Sequence, residues 1–137
     1  MDAIARAVTP VWQAHPGVLS AYIFGSHATG RPHRESDLDV AVLLDRGVYP
    51  TARARFDARL RLTGDLGRAA GCPPIDLVVL NDVPPTLARA ILNGGRRIFC
   101  RNAEADHACL RTTLLRAADL DLFLRRTRAI KLGVLRR

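Results

Sequence analysis

Apolar runs alternate with polar stretches along this chain in a strand-and-helix cadence. Residues 2–14 carry Ile4, Val8, Val11 and Trp12 at helical spacing. Pro10 falls inside that segment, which predicts a kink or a restart with Pro10 in the first turn. His15-Pro16-Gly17 is a turn signal. Residues 18–24 and 37–44 read as strands, the second followed by an Asp45-Arg46-Gly47 turn. Residues 50–70 read as a helix, with Phe56, Leu60, Leu62, Leu66 and Ala70 on or near one stripe. Arg53, Arg55, Arg59, Arg61 and Arg68 fall mostly off that stripe, and Gly64 is a weak point where one segment could end. Gly71-Cys72-Pro73-Pro74 stops the helix before an apolar strand that runs to Leu80.

A short helix over 85–93 follows, with Leu87, Ile91 and Leu92 apolar and Asn93-Gly94-Gly95 closing it. Residues 96–100 read as a short strand, placed at a sheet edge by its arginines. A long helix is expected over about 103–132. Leu110, Leu114, Ala117, Leu120, Phe123, Leu124, Thr127 and Ile130 make one stripe on it, and Leu115, Ala118 and Leu122 a second. A helix this apolar between 110 and 124 needs more than one neighbour. One side is expected on the domain and the other on another chain, unless the whole helix is absorbed in its own core. The elements predict an α/β (α+β) fold, a small mixed β-sheet with flanking helices. They also predict one domain over 1–137, with a core at about 15–100 and a C-terminal helical extension.

The chemistry concentrates between the first two strands. Gly25-Ser26 closes one, and ten residues later Asp37-Leu38-Asp39 opens the next. Side chains alternate along a strand, so Asp37 and Asp39 share a face, roughly 6.5–7 Å apart, and Leu38 and Val40 point into a core. Carboxylates so placed repel one another unless a cation sits between them. Mg²⁺ suits such oxygen ligands when phosphates complete its shell. Gly25 lets backbone approach a ligand closely, and amides at a helix start near Ser26 favour a phosphate. Arg31, His33 and Arg34 lie in the polar loop ahead of Asp37, and Arg34 is the one favoured to meet a phosphate. His27 and His33 show no shared helix face, so no zinc site is expected. The pattern describes a site for a metal-bound triphosphate.

Gly25-Ser26, the ten-residue gap and Asp37-Leu38-Asp39 together resemble the motif of the polymerase-beta-like nucleotidyltransferases in their minimal form. The resemblance implies a third carboxylate on a later strand, for which Asp76 is the candidate. It further implies that Gly25 and Ser26 hold the triphosphate of ATP and that Asp37 and Asp39 hold Mg²⁺, two ions in all. Asp76 would bind the second metal or serve the nucleophile. A small domain with this site and a Leu- and Arg-rich C-terminal helix is similar to the MntA-type antitoxins of HepT–MntA toxin–antitoxin pairs. That likeness implies transfer of AMP from ATP to a tyrosine of a HepT-type RNase toxin in the cytoplasm, with the toxin meeting the C-terminal helix. The match in the site covers roughly residues 18–80; in the tail it is compositional.

Composition narrows the alternatives. The chain has 137 residues, 48% of them hydrophobic and 25% charged, which is ordinary for a folded domain. No apolar run approaches the ~20 residues that span a bilayer, and no signal peptide is evident. Cys72, Cys100 and Cys109 have neither zinc spacing nor a disulfide pattern, so free thiols in a reducing cytoplasm are expected. The net charge of +8 is nearly all arginine, Lys131 being the only lysine. Residues 1–100 hold 12 basic against 9 acidic residues and residues 101–137 hold 9 against 4, so the excess leans toward the tail. Two rival readings remain: a nucleotidyltransferase for a small molecule such as an aminoglycoside, and a non-catalytic basic module binding nucleic acid. The first needs an added substrate domain for which there is little room. The second lacks aromatic stacking residues, aromatics being 5%.

Overall fold

The computed structural model describes residues 2–25 and 37–135. In chain order the elements are α1 (Asp2–Ala14), β1 (Val18–Phe24), β2 (Leu38–Leu44), α2 (Ala52–Ala69), β3 (Ile75–Val79), α3 (Pro85–Gly94), β4 (Arg96–Cys100) and α4 (Ala103–Leu135). The strands form one sheet in the order β3-β2-β1-β4. β1 is antiparallel to both β2 and β4, whereas β2 and β3 are parallel, so α2 is the crossover that a parallel pair requires. The sheet is therefore mixed and flanked by helices, as the apolar pattern predicts.

Each face of the sheet carries its own core. Val18, Ala21, Ile23, Leu38, Val40 and Val42 pack with Val8 and Trp12 of α1 and with Leu62 and Leu66 of α2. On the other face Tyr22, Ala41 and Leu43 pack with Ala88 and Ile91 of α3. Burial on both faces explains why β2 reads Leu-Asp-Val-Ala-Val-Leu-Leu, nearly continuous in apolar residues rather than alternating.

Three helical expectations need correction. α1 is one continuous helix through Pro10, which is exposed, so it does not restart there. α2 runs unbroken through Gly64, because Thr51 caps its start, accepting from the Ala54 amide at 3.0 Å, and burial of Leu62 and Leu66 holds the turn on either side. The buried stripe of α2 is Arg55, Ala58, Leu62 and Leu66, while Phe56 and Leu60 stay 49% and 59% exposed. Arg55 goes in because its guanidinium meets both oxygens of Asp82 at 2.8 and 2.9 Å and the Tyr49 carbonyl at 3.1 Å.

α4 is not absorbed in the core. Among the described residues its buried positions are Asp106, Thr113 and Ala117, all in the N-terminal half, and Leu122, Phe123 and Ile130 are largely exposed. Asp106 accepts from the Tyr22 hydroxyl and, at 2.7 Å, from Arg97, which ties the first turns of α4 to the sheet. Burial pushes the Asp106 carboxyl up, but the Tyr22 hydroxyl and Arg97 hold it below the usual carboxylate range on balance. Burial first, then the bond to Asp106, raises the Tyr22 phenol above its ordinary value. No helix among the described residues is long and apolar enough to cross a membrane.

Candidate active site

The strand directions bring the chemistry-bearing residues to one end of the sheet. β1 ends there, at Phe24 and Gly25, and β2, β3 and β4 all begin there. Phe24 pairs with Asp39, and Asp39 pairs with Asp76, so the three form a row across β1, β2 and β3. Paired residues share a face. Asp39 and Asp76 therefore stand side by side on the face that carries α3 and α4, their strands about 4.8 Å apart. Asp37 precedes Asp39 by two positions and is exposed, as is Asp76; Asp39 is half-buried.

The neighbours of these acids explain why they stay in register. Leu38 and Val40, both fully buried, anchor the opposite face of β2, and Leu77 does the same beside Asp76 on β3. The Leu38 amide donates to the Pro74 carbonyl at 2.8 Å, locking the start of β2 to the start of β3. Upstream, Gly71 and Cys72 take left-handed φ values of 85° and 63°, and the Cys72 amide donates to Gly67 at 2.6 Å. This closes α2 and turns the chain into Pro73-Pro74, whose fixed φ values lead straight into β3.

Gly25 has a φ of 71°, and a Cβ there would fall against Oδ2 of Asp39. The glycine thus serves two needs, a left-handed turn after β1 and room for the Asp39 carboxylate beneath it. Ser26 and Arg34, the other two predicted nucleotide contacts, lie outside the described residues, as do Arg31, His27, His33 and the helical turn expected at 27–30.

Among the described residues no three His, Cys, Asp or Glu side chains gather closely enough to hold a metal ion by themselves. The donor set still fits Mg²⁺, a hard cation commonly held by one or two carboxylates with phosphate oxygens completing its shell. The side-by-side pair of Asp39 and Asp76 supplies that minimum. Arg96 was not anticipated as a neighbour of the site. It opens β4 opposite Ile23, at the same end of the sheet. In sequence its only signal was edge-strand charge. Two clefts lie elsewhere, one of about 500 Å³ along β3 and α2 and one of about 420 Å³ between α4 and the far end of the sheet. None of the three aspartates lines either.

Comparison with known proteins places this geometry. No curated protein sequence matches the chain. Among solved structures, a chain from a toxin–antitoxin crystal structure with AMP-PNP superposes with a TM-score of 0.70 at 23% identity, covering 95% of this chain and 98% of that one. A chain of the MntA–HepT toxin–antitoxin gives 0.66 at 19% identity, covering 98% and 99%. A chain from the tri-AMPylated Shewanella oneidensis HEPN toxin in complex with MNT antitoxin gives 0.62 at 20% identity, covering 96% of each. At these identities the likeness is one of fold. The sequence model of the polymerase beta nucleotidyltransferases matches residues 7–104, which take in β1 through β4 and every candidate carboxylate. With that span matched and Asp39 set beside Asp76 under a glycine turn, the chain belongs to the polymerase beta nucleotidyltransferase family.

Proposed function

We propose that this nucleotidyltransferase is an antitoxin that moves AMP from ATP to a tyrosine hydroxyl of a HepT-type toxin in the cytoplasm, and so neutralises it. The observation that carries the reading is the row of Asp39 and Asp76 beside Gly25. The fold likeness to chains from toxin–antitoxin complexes supports it, one carrying AMP-PNP and one an AMPylated HEPN toxin.

Asp37, Asp39 and Asp76 would hold Mg²⁺, two ions in the full complex. When bound, Mg²⁺ neutralises the triphosphate and favours attack at its α-phosphorus. The amides at Gly25 and Ser26 would grip the outer phosphates, with Arg34 adding a cation. Asp76, at the exposed start of β3, would either take the proton from the acceptor hydroxyl or ligate the metal that makes that hydroxyl nucleophilic. The acceptor oxygen forms a bond to the α-phosphorus, the bond from that phosphorus to the bridging oxygen breaks, and pyrophosphate leaves. Positioning and charge neutralisation supply most of the rate. The toxin would dock on the free half of α4, where Leu122, Phe123 and Ile130 are 49%, 62% and 68% exposed.

The test is transfer itself. The protein is incubated with Mg²⁺ and α-labelled ATP, with and without a co-expressed HepT-type partner. Label is expected on a partner tyrosine with one pyrophosphate released per AMP. Asp39→Asn should lower transfer at least about 100-fold with an unchanged circular dichroism spectrum. Undiminished transfer by that folded variant would remove the assigned role of the carboxylate. Label on an added aminoglycoside in place of protein would favour the small-molecule reading.

A further inference from the structure

Several arginines that touch the fold are held by it. Arg55 pairs with Asp82, Arg89 with Asp121 and Arg97 with Asp106, and Arg101 donates to the Val18 and Trp12 carbonyls. Arg46 and Arg116 are not held. Neither guanidinium has an ion-pair or hydrogen-bond partner among the described residues. Both line the cleft of about 420 Å³, Arg46 from the turn after β2 and Arg116 from the fourth turn of α4.

This cleft has one sign of charge over an aliphatic floor. No acidic residue lines it, whereas the cleft beside β3 carries both signs, Arg59 and Asp82. The acids nearest to it are engaged. Asp45 accepts the Gly47 amide of its own turn at 2.8 Å, and Asp106 accepts from Tyr22 and Arg97. The floor is Leu19, Leu43 and Leu80 with the half-buried Cys109, and no aromatic ring lines it to stack on a base. Asn81 at the rim is fully used, since its side chain accepts from the Leu44 amide and donates to the Leu44 carbonyl, both at 2.9 Å. Burial raises the Cys109 thiol above its ordinary value, and Arg116 and Arg46 are among the lesser influences that lower it, so both cations are felt at one point of the floor.

We propose that this cleft binds a small amphiphilic anion, a short aliphatic chain ending in a carboxylate or a phosphate monoester, at a site separate from that of the nucleotide. Its size falls in the range of roughly 300–1,000 Å³ usual for small-molecule clefts, which are mostly apolar with a few polar groups to fix the ligand. The chain lies over Leu19, Leu43 and Leu80, and the headgroup meets the two guanidinium forks, whose planar geometry suits either anion. With no carboxylate among the lining residues, the counter-charge has to come from outside. Leu43 is on the same face of β2 as Asp39 and four residues further on, about 13 Å along the strand. The anion and the triphosphate therefore occupy opposite ends of one sheet face.

The probe is sodium octanoate, kept below its micelle concentration and titrated into the full chain by calorimetry and nitrogen-edited NMR. Saturable shifts are expected at Leu43, Leu80, Cys109 and Arg116. Octyl phosphate is the second arm, and the tighter of the two names the headgroup. Octylammonium and octyl glucoside should bind at least about tenfold more weakly. Arg46→Ala and Arg116→Ala should each weaken octanoate about tenfold with an unchanged urea midpoint, because neither side chain is tied to the fold. Arg53→Ala on α2 and Asp39→Asn should bind as the wild type does, and Ala108→Trp, which fills the cleft from α4, should remove binding. The proposal is overturned if neither anion gives a saturable shift, if octylammonium binds equally well, or if both arginine variants bind undiminished. Shifts at Phe56 or at Leu122 and Phe123 instead of the cleft would also overturn it. So would co-sedimentation with phosphatidylglycerol vesicles in the absence of octanoate binding, which would make the arginines a membrane contact.

Discussion

Gly25 is the residue on which the site turns. Its φ of 71° and the Asp39 carboxylate directly beneath it leave no room for a side chain. Gly25→Ala should cost about 1–2 kcal/mol from the left-handed backbone alone, read as a lower urea midpoint. Transfer should fall further than stability does, about 100-fold, because displacing the Asp39 carboxylate by an ångström spoils alignment. A variant with wild-type turnover would show that the glycine serves only the turn. At this scale much was readable. The alternation of Leu38, Asp39 and Val40 gives the two faces of β2 directly, and Leu38 and Val40 are indeed fully buried. Arg55 was not readable. A charged side chain enters a core only when a partner meets it, and that partner, Asp82, comes from the loop after β3.

Among the elements, α2 and α4 show where periodicity stops being informative. Both carry more apolar residues than one stripe needs, so spacing alone does not say which are buried. On α2 the choice fell on Leu62 and Leu66 over Phe56 and Leu60, because the helix lies across the sheet with that side down. On α4 the fully buried positions among the described residues end at Ala117, and most of the helix beyond it is exposed. Arg89 and Asp121, 2.8 Å apart, tie α3 to α4 just beyond Ala117. The double substitution Leu122→Arg with Phe123→Arg should therefore change the unfolding free energy by no more than about 0.5 kcal/mol. It should also abolish co-purification of a HepT-type partner. A large loss of stability, or undiminished capture, would argue against the free half of α4 as the docking surface.

For the molecule as a whole, acid should be destabilising through carboxylates that tertiary contacts hold in the charged form. Asp65 is held below the usual range first by the His15 ring at 2.7 Å and then, against some burial, by Arg68. Asp121 is held down by Arg89, and Asp106 on balance by Tyr22 and Arg97. A lowered folded value means that the unfolded chain takes up protons first as pH falls. The stabilisation is thus complete above the ordinary carboxylate value of about 4 and is lost below it. Urea midpoints should stay level from neutral pH to about pH 5 and decline below pH 4, and Asp65→Asn should flatten part of that decline. A decline of the same depth in the variant would assign it to other groups. The sequence by itself determined the elements and the facing of Asp39 on β2, because those depend on local periodicity and on glycine and proline conformational limits. It also pointed to the family, since the motif is short-range and fixed in spacing and the family model matches residues 7–104. Only the tertiary structure decided that β3 lies parallel beside β2 with Asp76 abreast of Asp39, that Arg55 is buried, and that much of the second half of α4 is exposed. Each of these depends on which surfaces compete for the same core, a choice made among residues far apart in the chain and invisible to any local pattern.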